Sequence, residues 1–121
     1  MIFAEHPSFE KNLRKFLDKH HKDANCLTQL KNLLTSHFEL GTVRLLQEAL
    51  PPVGEYKEYQ LYKICMAVEG ISKNDRPRVC FGKREGTIVF LSFGSHITNY
   101  DNRKLVAEAK FCLKEYDGAT Q

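Results

Sequence analysis

Within Gly94-Ser95-His96-Ile97-Thr98-Asn99-Tyr100, an imidazole, a hydroxyl and a phenol follow one another at short spacing. An unperturbed imidazole titrates at about 6.5, so His96 is able to give or take a proton near neutrality. Arg78 lies in a stretch expected to pair with the strand that ends at Gly94. If Arg78 and His96 share one side of the sheet, the site holds a fixed cation, an acid/base and the phenol of Tyr100. Those groups suffice to cleave a phosphodiester without a metal. A 2′-hydroxyl loses its proton, a guanidinium holds the charge gained by the phosphorane, and the leaving 5′-oxygen is protonated.

Lys63, Arg76, Lys83, Arg84 and Ser95 are the candidates for holding such a substrate. A lone histidine commonly sits on a surface with no task, and exposed lysines commonly face only water. His96 stands above that background because of its neighbours, whereas Lys63 alone does not. No glycine-rich phosphate loop, G-x-S-x-G or H-E-x-x-H occurs. Cys80 qualifies as a nucleophile only if it emerges beside His96, and its apolar strand argues against that. His6, His20, His21 and His37 receive no catalytic role, and no metal or cofactor is expected.

Positioning these groups requires a strand, and residues 87–93 supply one. Thr-Ile-Val-Phe-Leu-Ser-Phe is rich in β-formers and apolar on both faces, as in a strand flanked on both sides. Residues 77–81 form its partner through a hairpin loop over 82–86. Alternation over 61–68 sets Tyr62, Ile64, Met66 and Val68 against Leu61, Lys63, Cys65 and Ala67. Upstream, residues 1–5 read as an edge or terminal strand, and Ser8 as the cap of a helix bearing Phe9, Leu13, Phe16, Leu17 and His20 on one face. Its other face carries Lys11, Arg14, Lys15, Lys19 and Lys22. A second helix presents Leu27, Leu30, Leu34 and Phe38 and ends at Gly41, with further turns over 43–50. Residues 51–58 read as a linker. Asp101 or Asn102 caps a last helix with Leu105, Ala109, Cys112 and Tyr116 as its buried stripe and Gly118 past its end. The sum is one α+β domain over residues 1–121, with helices against one face of an antiparallel meander.

Length, at 121 residues, suits a single modest core. Eighteen basic against fifteen acidic residues give a net charge of +3, compatible with a nucleic-acid or acidic partner. No window approaches the ~20 apolar residues of a membrane span, and no signal-peptide pattern opens the chain, so a cytoplasmic, membrane-free location is expected. The four cysteines lack metal-ligand spacing and read as small buried hydrophobes.

Three stretches resemble the RelE/ParE superfamily of bacterial toxins. Leu50-Pro51-Pro52-Val53 with Leu61-Tyr62-Lys63-Ile64 resembles the LxPL…LYELR passage of the HigB-type branch. Arg78-Val79-Cys80-Phe81 is similar to the YRIxY/F strand, and Gly94 to Tyr100 to the G-[ST]-H-x-x-x-[FY] ending of the YafQ-type branch. The resemblance implies a RelE-like fold: an N-terminal helical hairpin on a small antiparallel sheet with a closing C-terminal helix. It further implies ribosome-dependent, metal-independent cleavage of mRNA, restrained by a cognate antitoxin that covers or displaces the closing helix. His96 is then the proton donor, Tyr100 orients the substrate and Arg78 contacts the phosphate. Cys65 stands where the HigB-type passage carries an arginine, and residues 70–77 lack the His and Asp that accompany the YafQ-type histidine. The alternatives are a non-enzymatic ParE-like toxin that binds a topoisomerase, or a catalytically degenerate interaction module.

Overall fold

The computed structural model describes residues 1–19, 25–40, 52–95 and 101–119. The expected end of the second helix at Gly41, the turns over 43–50, and His20, His96 and Tyr100 lie outside these residues. Five strands form one mixed sheet in the order β1-β5-β4-β3-β2. They are β1 (Ile2–Glu5), β2 (Gly54–Tyr56), β3 (Tyr59–Cys65), β4 (Arg78–Arg84) and β5 (Thr87–Gly94), and the helices are α1 (Pro7–Lys19), α2 (Cys26–Thr35) and α3 (Asn102–Ala119). β2 to β5 form an antiparallel meander, but β1 joins the edge parallel to β5, with Ile2 opposite Thr87. The sheet is therefore mixed rather than purely antiparallel.

Helices cover both faces, which corrects the expectation of cover on one. Phe9, Leu13 and Phe16 of α1 and Cys26, Leu30 and Leu34 of α2 bury against Tyr62, Ile64, Val79, Phe81, Ile88, Phe90 and Phe93. Leu105, Ala109, Cys112 and Leu113 of α3 bury against Tyr59, Leu61, Cys80, Val89 and Leu91 on the other face. A sheet buried on both faces requires strands apolar on both sides, as β5 is.

One extra residue in β5 sets which way its end leaves. Cys80 pairs with Ser92 but Phe81 pairs with Phe90, so Leu91 is inserted. The bulge shifts the side-chain phase. Leu91 packs on the α3 side, Ser92 Oγ donates to the Leu105 carbonyl at 2.8 Å, and Phe93 turns into the α1/α2 core, 5.4 Å from the Phe16 ring.

Several boundaries move. Helix α1 starts two residues early, and His6 rather than Ser8 caps it: His6 Nδ1 accepts the Ser8 N–H at 3.0 Å, and Pro7 takes the first helical position, where its missing N–H is harmless. The linker over 51–58 contains β2, which turns into β3 through Lys57 at φ 53°. The β4–β5 loop shrinks to Glu85 and Gly86. Asp101 Oδ1 accepts the Arg103 N–H at 2.8 Å, the expected cap of α3. That helix runs through Gly118 to Ala119 rather than stopping before it.

Candidate active site at the end of the β4–β5 pair

The register brings Arg78 opposite Gly94 on one side and opposite Cys65 on the other. Paired strands lie about 4.8 Å apart, so Arg78 stands beside the point where Ser95 leaves β5. Residues directly opposite in an antiparallel pair share a face. Lys63 pairs with Cys80, and Cys80 belongs to the α3-side core. Alternation then sets Lys63, Cys65 and Arg78 on that same face.

Arg78 is half-buried, and its Nη1 donates to the Arg76 carbonyl at 2.8 Å. A guanidinium has five N–H donors, so this one bond orients the group and leaves capacity for an anion. Arg76 is half-buried, and its Nε finds no hydrogen-bond partner among the described residues. Lys63 is half-buried and close enough to Cys80 for its charge to favour the thiolate. Burial outweighs that effect and pushes the Cys80 thiol up to about 11. Cys80 is fully buried, which removes it as a nucleophile. Ser95, offered as a substrate contact, is only 2% exposed.

Lys83 and Arg84 belong elsewhere. They sit at the hairpin end of β4, five and six residues from Arg78, or roughly 16–20 Å along the strand. Lys83 Nζ lies 4.9 Å over the Phe38 ring and the Arg84 guanidinium 4.5 Å over Tyr59, on opposite faces. Cys65, expected inside with the other cysteines, is exposed.

Two features escaped the sequence reading. Arg103, Val106, Ala107 and Lys110 of α3 line an open groove of ≈ 450 Å³. The Lys110 side chain passes over Gly54, where an added Cβ would lie 3.0 Å from its Cε, so the groove borders β2. Their helical spacing was visible, but the face they occupy was not. The second is a cluster of His6, Cys112 and Glu115, whose ligand atoms lie within 4.8 Å of one another. Burial, with Glu108 and Glu115 nearby, pushes the Cys112 thiol up to about 11. As His6 and Cys112 are 106 positions apart, only the tertiary fold reveals the group.

No described helix is long and apolar enough to cross a membrane. No family model matches the chain, and comparisons with curated proteins and with solved structures return no match.

Proposed function

We propose that this chain is a toxin of the RelE/ParE kind, an endoribonuclease that cleaves mRNA on the ribosome without a metal and is held in check by a cognate antitoxin. The single observation that carries the reading is the pairing of Arg78 with Gly94, which sets a guanidinium beside the strand end that leads into Ser95 and His96. Lys63 on the same face adds a second cation, and Arg103 and Lys110 extend the basic surface along α3. The order of elements, two N-terminal helices, a meander and a C-terminal helix, supports the reading.

In this reading a ribose 2′-hydroxyl attacks the adjacent phosphorus. Its proton passes to solvent water as the bond to phosphorus forms, and Arg78 stabilises the equatorial oxygens of the phosphorane. The bond to the 5′-oxygen then breaks, and His96 supplies the proton that makes it a hydroxyl. The products are a 2′,3′-cyclic phosphate and a 5′-hydroxyl end. Tyr100 orients the substrate.

The test is expression of the chain from a tight promoter, with primer extension on translated messages. Growth arrest with discrete cleavage ends is expected, and His96→Ala or Arg78→Ala should relieve both. Arrest that persists undiminished in His96→Ala sinks the acid/base assignment, and DNA-damage signalling without cleaved messages points instead to a topoisomerase-binding toxin.

A further inference from the structure

We infer that His6, Cys112 and Glu115 form a binding site for a zinc-class divalent cation, on the β1 edge of the molecule and outside the Arg78 site. The three residues offer an imidazole nitrogen, a sulfur and a carboxylate oxygen, all within 4.8 Å of one another, and they are the one such group among the described residues. His6 Nε2 and Glu115 Oε1 are already 3.2 Å apart. Around tetrahedral zinc, ligand atoms sit about 3.3–3.8 Å from each other, as bonds of about 2.0–2.3 Å require. One edge of the tetrahedron is thus in place, and the other two contract by no more than ~1.5 Å.

The scaffold holding the ligands is rigid. Cys112 and Glu115 are three apart on α3, hence on one face of the helix. His6 joins β1 to α1, and its N–H donates to the Phe90 carbonyl at 2.9 Å. Ser8 Oγ, one turn of chain away, donates to Glu108 Oε1 at 3.2 Å, which brings a further carboxylate to the rim. Sulfur with imidazole selects zinc, cobalt(II) or cadmium over magnesium or calcium. Cys112 is buried while Glu115 is exposed. The ligand set therefore closes the site on the protein side and leaves a coordination position toward solvent, the three-ligand arrangement of reactive rather than sealed zinc sites.

Proton accounting identifies what binding changes. Without metal, His6 Nδ1 accepts the Ser8 N–H, so the neutral ring carries its proton on Nε2 and donates it to Glu115. Metal binding at Nε2 requires the ring proton to move from Nε2 to Nδ1, which frees the Nε2 lone pair for the metal and opens the Ser8 contact. The thiol proton of Cys112 leaves to solvent as its sulfur coordinates. The first turn of α1 is thereby coupled to the metal, and the cation ties α1 on one face of the sheet to α3 on the other.

The experiment uses the full chain, reduced and metal-free, titrated with Co²⁺ and followed by absorption spectroscopy. One equivalent should produce thiolate-to-cobalt charge transfer and tetrahedral d–d bands, both erased by Zn²⁺. Cys112→Ser should abolish the charge-transfer band, Glu115→Gln should weaken binding at least roughly tenfold, and Cys65→Ser should change nothing. The Ser8 amide resonance should shift in step with the bands. Circular dichroism checks that each variant is folded. If Cys112→Ser does not fold, the exposed Glu115→Gln decides, and unchanged affinity there overturns the site. A band that survives in folded Cys112→Ser overturns it, as does a wild type showing no saturable band below about 0.1 mM Co²⁺.

Discussion

Cys80 and Cys112 carry thiols that burial raises from an ordinary value near 9 to about 11. A folded-state pKa above the unfolded one means that the native protein holds the proton more tightly. The associated stability is complete below about pH 9 and disappears as pH climbs towards 11. Two pKa units correspond to about 3 kcal/mol for one thiol, an upper figure for Cys112, which is less deeply enclosed than Cys80. Urea unfolding at pH 8 and pH 10.5 should therefore show a clear alkaline loss, and Cys80→Ala should flatten it. An equal loss in Cys80→Ala would assign the effect to other groups, and the buried Tyr59 and Tyr62 hydroxyls, shifted the same way, come first among them. Exposure orders the thiols for modification as well. Cys65 should react with a thiol reagent in the native protein, while Cys80 and Cys112 react on unfolding.

At the scale of elements, β5 is the strand on which β1, β4, α1 and α3 converge. Phe90 at its middle lies 5.2 Å from the Phe9 ring, 5.9 Å from Phe3 and 6.2 Å from Phe81, so it joins α1, β1 and β4. Phe90→Ala should cost about 3–5 kcal/mol in urea unfolding, several times the effect of an exposed substitution. The hairpin beside it offers the opposite sign. Glu85 is exposed with φ 53°, a region that strains any side chain but suits glycine or asparagine. Glu85→Gly should raise stability by about 0.5–1 kcal/mol, readable as a shift in the urea midpoint with unchanged slope. Much of this level was legible in the sequence. Alternation set Tyr62 and Ile64 on one face of their strand, and apolar spacing found the three described helices. β2 was hidden because three residues carry no period, and the parallel seat of β1 because its pairing to β5 spans 85 positions, from Ile2 to Thr87. Hydrophobic spacing says that α3 has a buried side without saying which face of the sheet receives it. The clue was in β5 itself, whose double-sided apolarity demands cover above and below.

The candidate site follows the same division between local and global information. The pairing of β4 with β5 was legible because a short link joins them, but the register that sets Arg78 opposite Gly94 was not, since a loop over 82–86 would put Arg78 opposite Phe90. The separation of Lys83 and Arg84 from Arg78 also follows from strand length, once β4 is seen to run its full seven residues. By contrast, the union of His6 with Cys112 and Glu115 depends on α1 and α3 meeting at the β1 edge, a long-range contact no local pattern encodes.

For the whole molecule, the three-layer arrangement constrains how a partner could regulate it. Leu105, Ala109, Cys112 and Leu113 bury one face of α3 over Tyr59, Leu61, Cys80, Val89 and Leu91. Burying a single leucine-sized side chain contributes about 1.5–3 kcal/mol, and a domain of this size has only about 5–15 kcal/mol of net stability. Lifting α3 off the sheet thus costs an amount comparable to unfolding the protein, which a partner that displaced the closing helix would have to offset. Covering the helix from outside carries no such cost, because Arg103, Lys110 and the 64%-exposed Phe111 stand on its outer side. Two variants separate these cases. A chain ending at residue 101 should bind 1-anilinonaphthalene-8-sulfonate strongly and lose its cooperative unfolding transition, because half of the core becomes open. The full chain carrying Phe111→Ser should unfold like the wild type, since that ring packs against nothing in the core. Cooperative unfolding of the truncated chain, with no dye bound, would show that α3 is a detachable cover and would favour displacement as a means of control.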